Sequence, residues 1–374
     1  MLSPYRVLDL TTNASAICGA MLADLGADVI AVEPPAGSPL RQEGPFRHDE
    51  ADVEHSLTWW AYSRNKRGVS LDLESEAGRA ALLDLVDSAD FVIESFAPGS
   101  LDALGLGYKD LSARNPRLIV ISVTPFGQQG PKASWPASDL TVWAASGALN
   151  ITGDDDRPPV RVTVPQAFLH AGAEAAVAGL VALAARDRDG RGQHVDVSAQ
   201  TASMMATQSV ILAPAWNDLP IGRVGGGLKF GPLFVRFVYP CKDGFVNITL
   251  LFGNVLGQFT RRLFAWMCEE GFVDEATRDK DWVAYVQLLL TGAEPVPEFL
   301  RAMRAIEQFT LSHTKAELLQ GTFDRHVLVV PVSTIADVAN SPQLESRGYW
   351  QRLAHPVANE LAAFPGPFAK FSAS

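Results

Sequence analysis

Four short apolar runs alternate with helical patterns over the first 125 residues, and this constrains the fold more than any other feature. Residues 5–10 (YRVLDL), 27–32 (ADVIAV), 91–94 (FVIE) and 118–123 (LIVISV) are strand-length and rich in Val, Ile and Leu. Helical patterns cover 14–25, between the first two runs, and 74–86, after the helix-start signal Asp72. Strands that alternate with helices imply βαβ units and a parallel sheet buried on both faces. Right-handed crossovers then predict an α/β, Rossmann-like, doubly wound domain. The turn after the first run reads LTTNASAIC, with no GxGxxG, so dinucleotide binding of the usual kind has no support.

Downstream, two helical stretches occupy 136–200, the second from Ala167 to about Arg188 and ending at DRDGRGQ. Residues 194–198 (HVDVS) resume an extended pattern. Residues 213–232 are rich in Pro and Gly and predict a linker. Runs at 233–239 and 245–250 flank PCKDG, a hairpin signal. Helical patterns follow to about 319, 327–332 predicts another strand, and the end, FPGPFAKFSAS, is loop-like.

Length and charge narrow the function classes. A chain of 374 residues exceeds one typical core, so two domains are expected. The net charge of −11 opposes nucleic acid and anionic membranes, which need cationic fields. Cys18, Cys241 and Cys268 are far apart and form no CxxC or Cys/His spacing, which excludes a disulfide framework and a zinc site. Together with an N-terminus that enters a strand directly, they predict a cytoplasmic protein. The most apolar stretch, 171–185, is mostly Ala and Gly and is expected to be too short to span a membrane.

Six segments then come in a fixed order: SRNKRGVSLDL (63–73), FVIESFAPGSLDALGLGY (91–108), NPRLIVISVTPFGQQGP (115–131), GRGQHVDVS (190–198), DGFVNIT (243–249) and VPVSTIADVANSPQLESRGYW (330–350). This order resembles the class III CoA-transferases, the family of formyl-CoA transferase, carnitine CoA-transferase and α-methylacyl-CoA racemase. The resemblance implies a large Rossmann-like domain built from both chain ends, a smaller α+β domain between, and two chains interlocked as rings. The expected organisation is a large domain over 1–200, a linker with a glycine loop over 201–232, a small domain over 233–332 and a return segment over 333–374.

The resemblance also implies a chemistry. In the transferases an Asp at the start of the helix before the GRGQ turn attacks an acyl-CoA thioester to form a mixed anhydride, and CoA thiolate returns to make an aspartyl-CoA thioester. A carboxylate suits this because it is both acyl acceptor and good leaving group. The racemases pair the same Asp with an upstream His for proton abstraction.

Here the reacting residues are missing. The family pattern Val-Pro-x-x-Asp-x-x-x-Gly aligns without a gap on VPQAFLHAG, and Phe168 takes the Asp position. Ser138 takes the racemase His position; Asp139, beside it, is retained. Glu33 is followed by Pro34 where a basic residue is usual, Ala31 replaces a Lys, and Ser95 replaces an Asn. Asn65, Lys66, Arg67 and Phe96 survive as remnants of the CoA-binding set. Gly225, Gly226 and Gly227 resemble the mobile glycine loop over the transferase active site.

Nearby residues do not restore the nucleophile. His170 lies two residues on from Phe168, about 200° round a helix. Glu174 lies six residues on, about 9 Å along the axis. The tryptophans 59, 60, 135 and 143 are expected in core or interface, and Asp154–Asp155–Asp156 in a solvated loop.

Concerted loss at nucleophile and cofactor positions predicts a structural or regulatory subunit of a hetero-oligomeric CoA-transferase. Its expected partner is a homologous chain that supplies the Asp. The expected substrates of the complex are a CoA thioester and dicarboxylic or aromatic acids such as succinate and benzylsuccinate; no tightly bound cofactor, metal, nucleic acid or membrane is expected. The alternative is a stand-alone acyl-CoA enzyme of altered chemistry, such as a thioesterase, lyase or hydratase.

Overall fold

The structure, a computed structural model, describes residues 1–217, 222–230, 233–355 and 360–372. The chain divides into two compact units. The first comprises residues 1–152, 159–222 and 343–374; the second comprises 153–158 and 223–342. Residues 201–217, read from sequence as linker, are helical apart from a turn at 206–207 and belong to the first unit.

The first unit follows the alternation seen in the sequence. Its elements are β1 (Arg6–Leu10), α1 (Ile17–Asp24), β2 (Asp28–Glu33), α2 (Leu57–Ser63), β3 (Lys66–Ser70), α3 (Glu76–Val86), β4 (Phe91–Glu94), α4 (Ser100–Ala103), α5 (Tyr108–Arg114), β5 (Ile119–Thr124), α6 (Asp139–Ala145), α7 (Ala167–Asp189), β6 (His194–Ser198), α8 (Ala199–Met205) and α9 (Gln208–Asn217). The six strands pair in parallel in the order β3-β2-β1-β4-β5-β6. All residues of β4 and β5 are buried, as strands covered on both faces must be. The edge strand β3 carries Arg67, an exposed charge that blunts the open edge. Strand order reverses between β1 and β4, which opens a crevice at their carboxyl ends.

Helix α7 is the central element on one face. At 23 residues it is longer than the apolar stretch read from sequence, and by length and composition it is apolar enough to cross a membrane, contrary to that reading. Half of its apolar window is buried, with Ala171, Ala175, Gly179 and Ala182 on the packed side. These small residues let the backbone approach closely: a Cβ at Gly179 would press on Ile121 and one at Gly172 on the Ser15 carbonyl and Ile17. Arg186 is 1% exposed and is held by Asp90 (2.9 Å) and the Arg117 carbonyl (3.1 Å). Gly190 (φ 73°) ends the helix in a left-handed conformation that suits glycine.

The second unit contains β7 (Gly227–Phe230), which pairs antiparallel with β8 (Leu233–Arg236), and an antiparallel sheet β11-β10-β9. Strands β9 (Val238–Cys241) and β10 (Gly244–Ile248) form the hairpin signalled by PCKDG, and β11 is Val329–Pro331. Helices α10 (Gly253–Glu269) and α13 (Val296–Leu311) contribute to its core with α11 (Glu275–Arg278), α12 (Tyr285–Thr291) and α14 (Lys315–Arg325) around them. Phe264 stacks on Trp282 at 3.8 Å at the centre.

The C-terminal segment returns to the first unit as an antiparallel pair, β12 (Trp350–His355) and β13 (Glu360–Pro365). The sequence reading made the end loop-like from residue 364, whereas Phe364 and Pro365 complete β13. His355 stacks on Trp60 of α2 at 3.6 Å. Among the other tryptophans, Trp135 is 55% exposed and so, of the two expected placements in core or interface, does not take the core one.

Candidate functional site

The start of α7 carries the position that sequence alignment assigned to chemistry. Phe168 stands in the first turn, 9% exposed, within a cluster that includes Ile121, Val123 and Val142. An aromatic ring in that setting neither attacks a carbonyl nor moves a proton. A helix N-terminus normally offers unpaired N–H groups and a positive dipole end to an anion. Here Asp139 takes that place: its Oδ2 accepts from the Gln166 N–H (3.0 Å) and its Oδ1 from the Phe168 N–H (3.2 Å). Asp139 opens α6, where Ser138 caps the helix in a reciprocal box with Thr141. Of the two residues at the racemase-like positions, Ser138 thus caps α6 and Asp139 fastens α6 to α7. His170 stacks on Trp143 (5.8 Å), and Glu174 is exposed.

The second part of the site is the crevice at the carboxyl edge of β1, β2 and β4. It has a volume of about 580 Å³ and apolar walls of Leu10, Val32, Leu71, Phe96, Leu101 and Leu104. Among the described residues its only charged lining groups are Glu33, Asp72 and Glu74. Glu33 is engaged: its carboxylate accepts from the Ser38 N–H (2.9 Å) and from Arg41 Nε (2.6 Å) and Nη2 (3.0 Å). That carboxylate holds the Arg41 guanidinium firmly in its charged form. Arg41 also pairs with Glu54 and lies over the Trp59 ring.

The loop after β1 shows why the missing glycine motif matters. The Thr11 N–H donates to Asp9 Oδ1 (3.1 Å), the Thr12 N–H to Ser95 Oγ (2.9 Å) and the Ser15 N–H to Asn13 Oδ1 (2.9 Å). Side chains thus take up amides that a glycine-rich loop would turn toward a phosphate.

Of the surviving cofactor-set residues, only Phe96 lines this crevice. Lys66 lies in a buried pair: its Nζ donates to Asp9 Oδ2 (2.7 Å) and to the Ala16 carbonyl (2.8 Å), with both side chains 2% exposed. Arg67 pairs with Asp28 at the surface, and Asn65 donates to Asp24 (2.9 Å). In the second unit the glycine run is tied down. The Gly225 N–H donates to the Gly153 carbonyl (3.0 Å), and Gly226 accepts from the Phe237 N–H (2.7 Å). A Cβ at Gly227 would collide with the Val235 carbonyl, so close backbone approach requires glycine there, while one at Gly225 would collide only with the movable Asp154 carboxylate. Among the described residues no group of three His, Cys, Asp or Glu is placed to hold a metal ion.

Sequence reasoning missed a polar cluster on the sheet face under β4–β6. Ser122 Oγ lies 2.9 Å from His194 Nε2, His194 stacks on Tyr108, and Glu94 accepts from the Phe96 N–H (2.7 Å). Burial pushes the Glu94 carboxyl above its usual range, against the Ser122 and Phe96 hydrogen bonds, and burial lowers His194. The signal was a Glu and a Ser inside otherwise apolar strands.

The family model for CoA-transferase family III matches residues 2–374. The chain belongs to CoA-transferase family III. It is 39% identical over 365 residues to the succinyl-CoA:(R)-benzylsuccinate CoA-transferase subunit BbsE of Thauera aromatica, covering 97% of this chain and 86% of that one. It is 33% identical to the succinate–glutarate CoA-transferase of Agrobacterium fabrum, over 93% of this chain and 84% of the relative. Among solved structures, a CAIB/BAIF family protein from Brucella suis superposes with a TM-score of 0.83 at 27% identity, covering 100% of this chain and 93% of that one. Membership in CoA-transferase family III makes the transferase type the setting in which Phe168 and the cation-free crevice are to be understood.

Proposed function

We propose that this chain is the non-catalytic subunit of a hetero-oligomeric class III CoA-transferase. A homologous partner chain supplies the nucleophilic Asp, and the complex moves CoA between dicarboxylic or aromatic acids of the succinate and benzylsuccinate kind. The observation that carries this reading is Phe168, buried at the nucleophile position with Asp139 closing the helix end in front of it. A relative that is itself named as a subunit supports it. In the complex the partner's carboxylate attacks the acyl-CoA carbonyl to give a mixed anhydride and CoA thiolate, the thiolate attacks the aspartyl carbonyl to give an aspartyl-CoA thioester and releases the donor acid, and the acceptor acid takes CoA by the reverse of these steps, while this chain completes the assembly. The interlocked ring of the family is the expected arrangement, and CoA thioester enters as substrate rather than as resident cofactor. Three free cysteines fit a reducing cytoplasm.

The test uses the chain alone and co-expressed with a homologue that bears the Asp. Native mass spectrometry is expected to detect the mixed assembly, and transfer from succinyl-CoA is expected from the mixture only. Replacement of the partner's Asp by Ala abolishes it. Transfer by the purified chain alone defeats the proposal, and turnover of acyl-CoA by that chain to products other than a new thioester favours the stand-alone reading.

A further inference from the structure

We infer that a second cavity of the first unit, lined by Glu94, Asp102, Tyr108, Lys109, Gln128 and His194, binds a free α-amino acid with a short side chain. It lies on the other side of α4 from the crevice: Ala103 and Leu104 line the crevice, whereas Asp102 and Leu106 line this cavity. Its volume of about 220 Å³ is below the roughly 300–1,000 Å³ of sites for drug-sized ligands, so its occupant is compact.

The floor is fixed before a ligand arrives. Ser122 Oγ lies 2.9 Å from His194 Nε2, the Glu94 carboxylate accepts from the Phe96 N–H (2.7 Å), and the His194 ring stacks on Tyr108 at 5.3 Å. Glu94 and Ser122 are 5% and 3% exposed. Mutual support of this kind preorganises a lining. Leu106 and Val120 supply its apolar part, against which a short side chain packs.

The rim, by contrast, has unused capacity. Among the described residues, the Asp102 carboxylate, the Lys109 ammonium, the Gln128 side-chain amide and the Tyr108 hydroxyl make no hydrogen bond. Asp102 and Lys109 also form no ion pair, with each other or with any other described group. Two unpaired opposite charges on one small cavity match a ligand that carries both charges at short range. An α-amino acid does so: its ammonium goes to Asp102 and its carboxylate to Lys109, each through a charge-assisted hydrogen bond. A neutral sugar leaves both charges without a counter-charge, and a simple amine or acid leaves one. The neighbouring Asp196 carboxylate is already engaged by the Gln128 N–H (3.0 Å). Burial holds the Glu94 carboxyl above its usual range, which limits the negative charge at the floor.

The assignment goes beyond the subunit reading and rests on this cavity alone. Transfer by the isolated chain would overturn the subunit reading and leave the cavity result standing.

The experiment is calorimetric titration of the full chain with glycine, L-alanine, L-serine, L-threonine and L-asparagine. At least one is expected to give a saturable heat, and the absence of a heat from all five overturns the proposal. The N-acetyl derivative of the tightest binder lacks the ammonium, and its primary amide lacks the carboxylate. Each is expected to bind at least about tenfold more weakly than the parent amino acid. A derivative that binds as tightly as the parent overturns the zwitterion assignment, and so does D-glucose binding that tightly. Lys109→Met and Asp102→Asn alter exposed side chains and are expected to leave the far-UV spectrum unchanged. Lys109→Met should weaken the parent amino acid about tenfold and leave its primary amide unaffected. Asp102→Asn should weaken the parent by a similar factor and leave the N-acetyl derivative unaffected, and it carries the test if the first variant misfolds. Unchanged affinity for the parent in either folded variant overturns the site.

Discussion

Asp139 and Phe168 are joined through the start of α7: the aspartate takes the backbone N–H of the residue whose ring fills the expected nucleophile position, at 3.2 Å. Phe168→Asp would therefore set a second carboxylate beside the first. Loss of the ring costs about 3 kcal/mol, and the like charges add to it. Asp139→Ala alone removes a helix cap and costs about 1 kcal/mol. The double variant is expected to be more stable than the sum of the two losses predicts, by about 1 kcal/mol. Urea unfolding of the three variants measures this, and strict additivity would show that residues 139 and 168 do not communicate.

Lys66 and Asp9 form a pair 2% exposed on both sides. Removing one member leaves an uncompensated buried charge, so Lys66→Met is expected to cost about 3–5 kcal/mol. Asp9→Asn combined with Lys66→Met should recover part of that loss. Denaturant midpoints decide it; a cost below about 1 kcal/mol for the single variant would indicate a solvated pair of the surface kind.

Glu94 gives a pH dependence of defined sign. Burial raises its carboxyl above the ordinary value of 4.5 in the folded state. Its stabilising contribution is thus complete below pH 4.5 and is lost as pH rises through the folded value. Glu94→Gln cannot ionise. Its Tm relative to the parent chain is expected to climb between pH 4.5 and pH 7, by differential scanning calorimetry. A difference that shrinks with rising pH would mean that the ionised form is the better accommodated one.

Particular elements show what was legible in the sequence. The runs at 5–10, 91–94 and 118–123 became β1, β4 and β5 within a residue because strands buried on both faces admit only apolar side chains. β3 was not read as a strand, since an edge strand bearing Lys66 and Arg67 has no such pattern. The β12–β13 pair was missed for the same reason: most of β12 is exposed and its register comes from pairing, not periodicity. At the site, Phe168 was found by position along the chain, whereas the reach of Asp139 to the amides of residues 166 and 168 spans 27 and 29 positions.

The sequence by itself determined the parallel α/β scaffold and the absence of a carboxylate at position 168, because burial patterns and residue identity are local properties. Tertiary structure alone decided that Lys66 pairs with Asp9, that the glycine run is pinned to Gly153, and that the crevice is lined by carboxylates with its nearby arginine turned to Glu33. Each of these depends on which distant group satisfies a charge or a backbone amide, and pairing of that kind is settled only when the strands and loops are brought together.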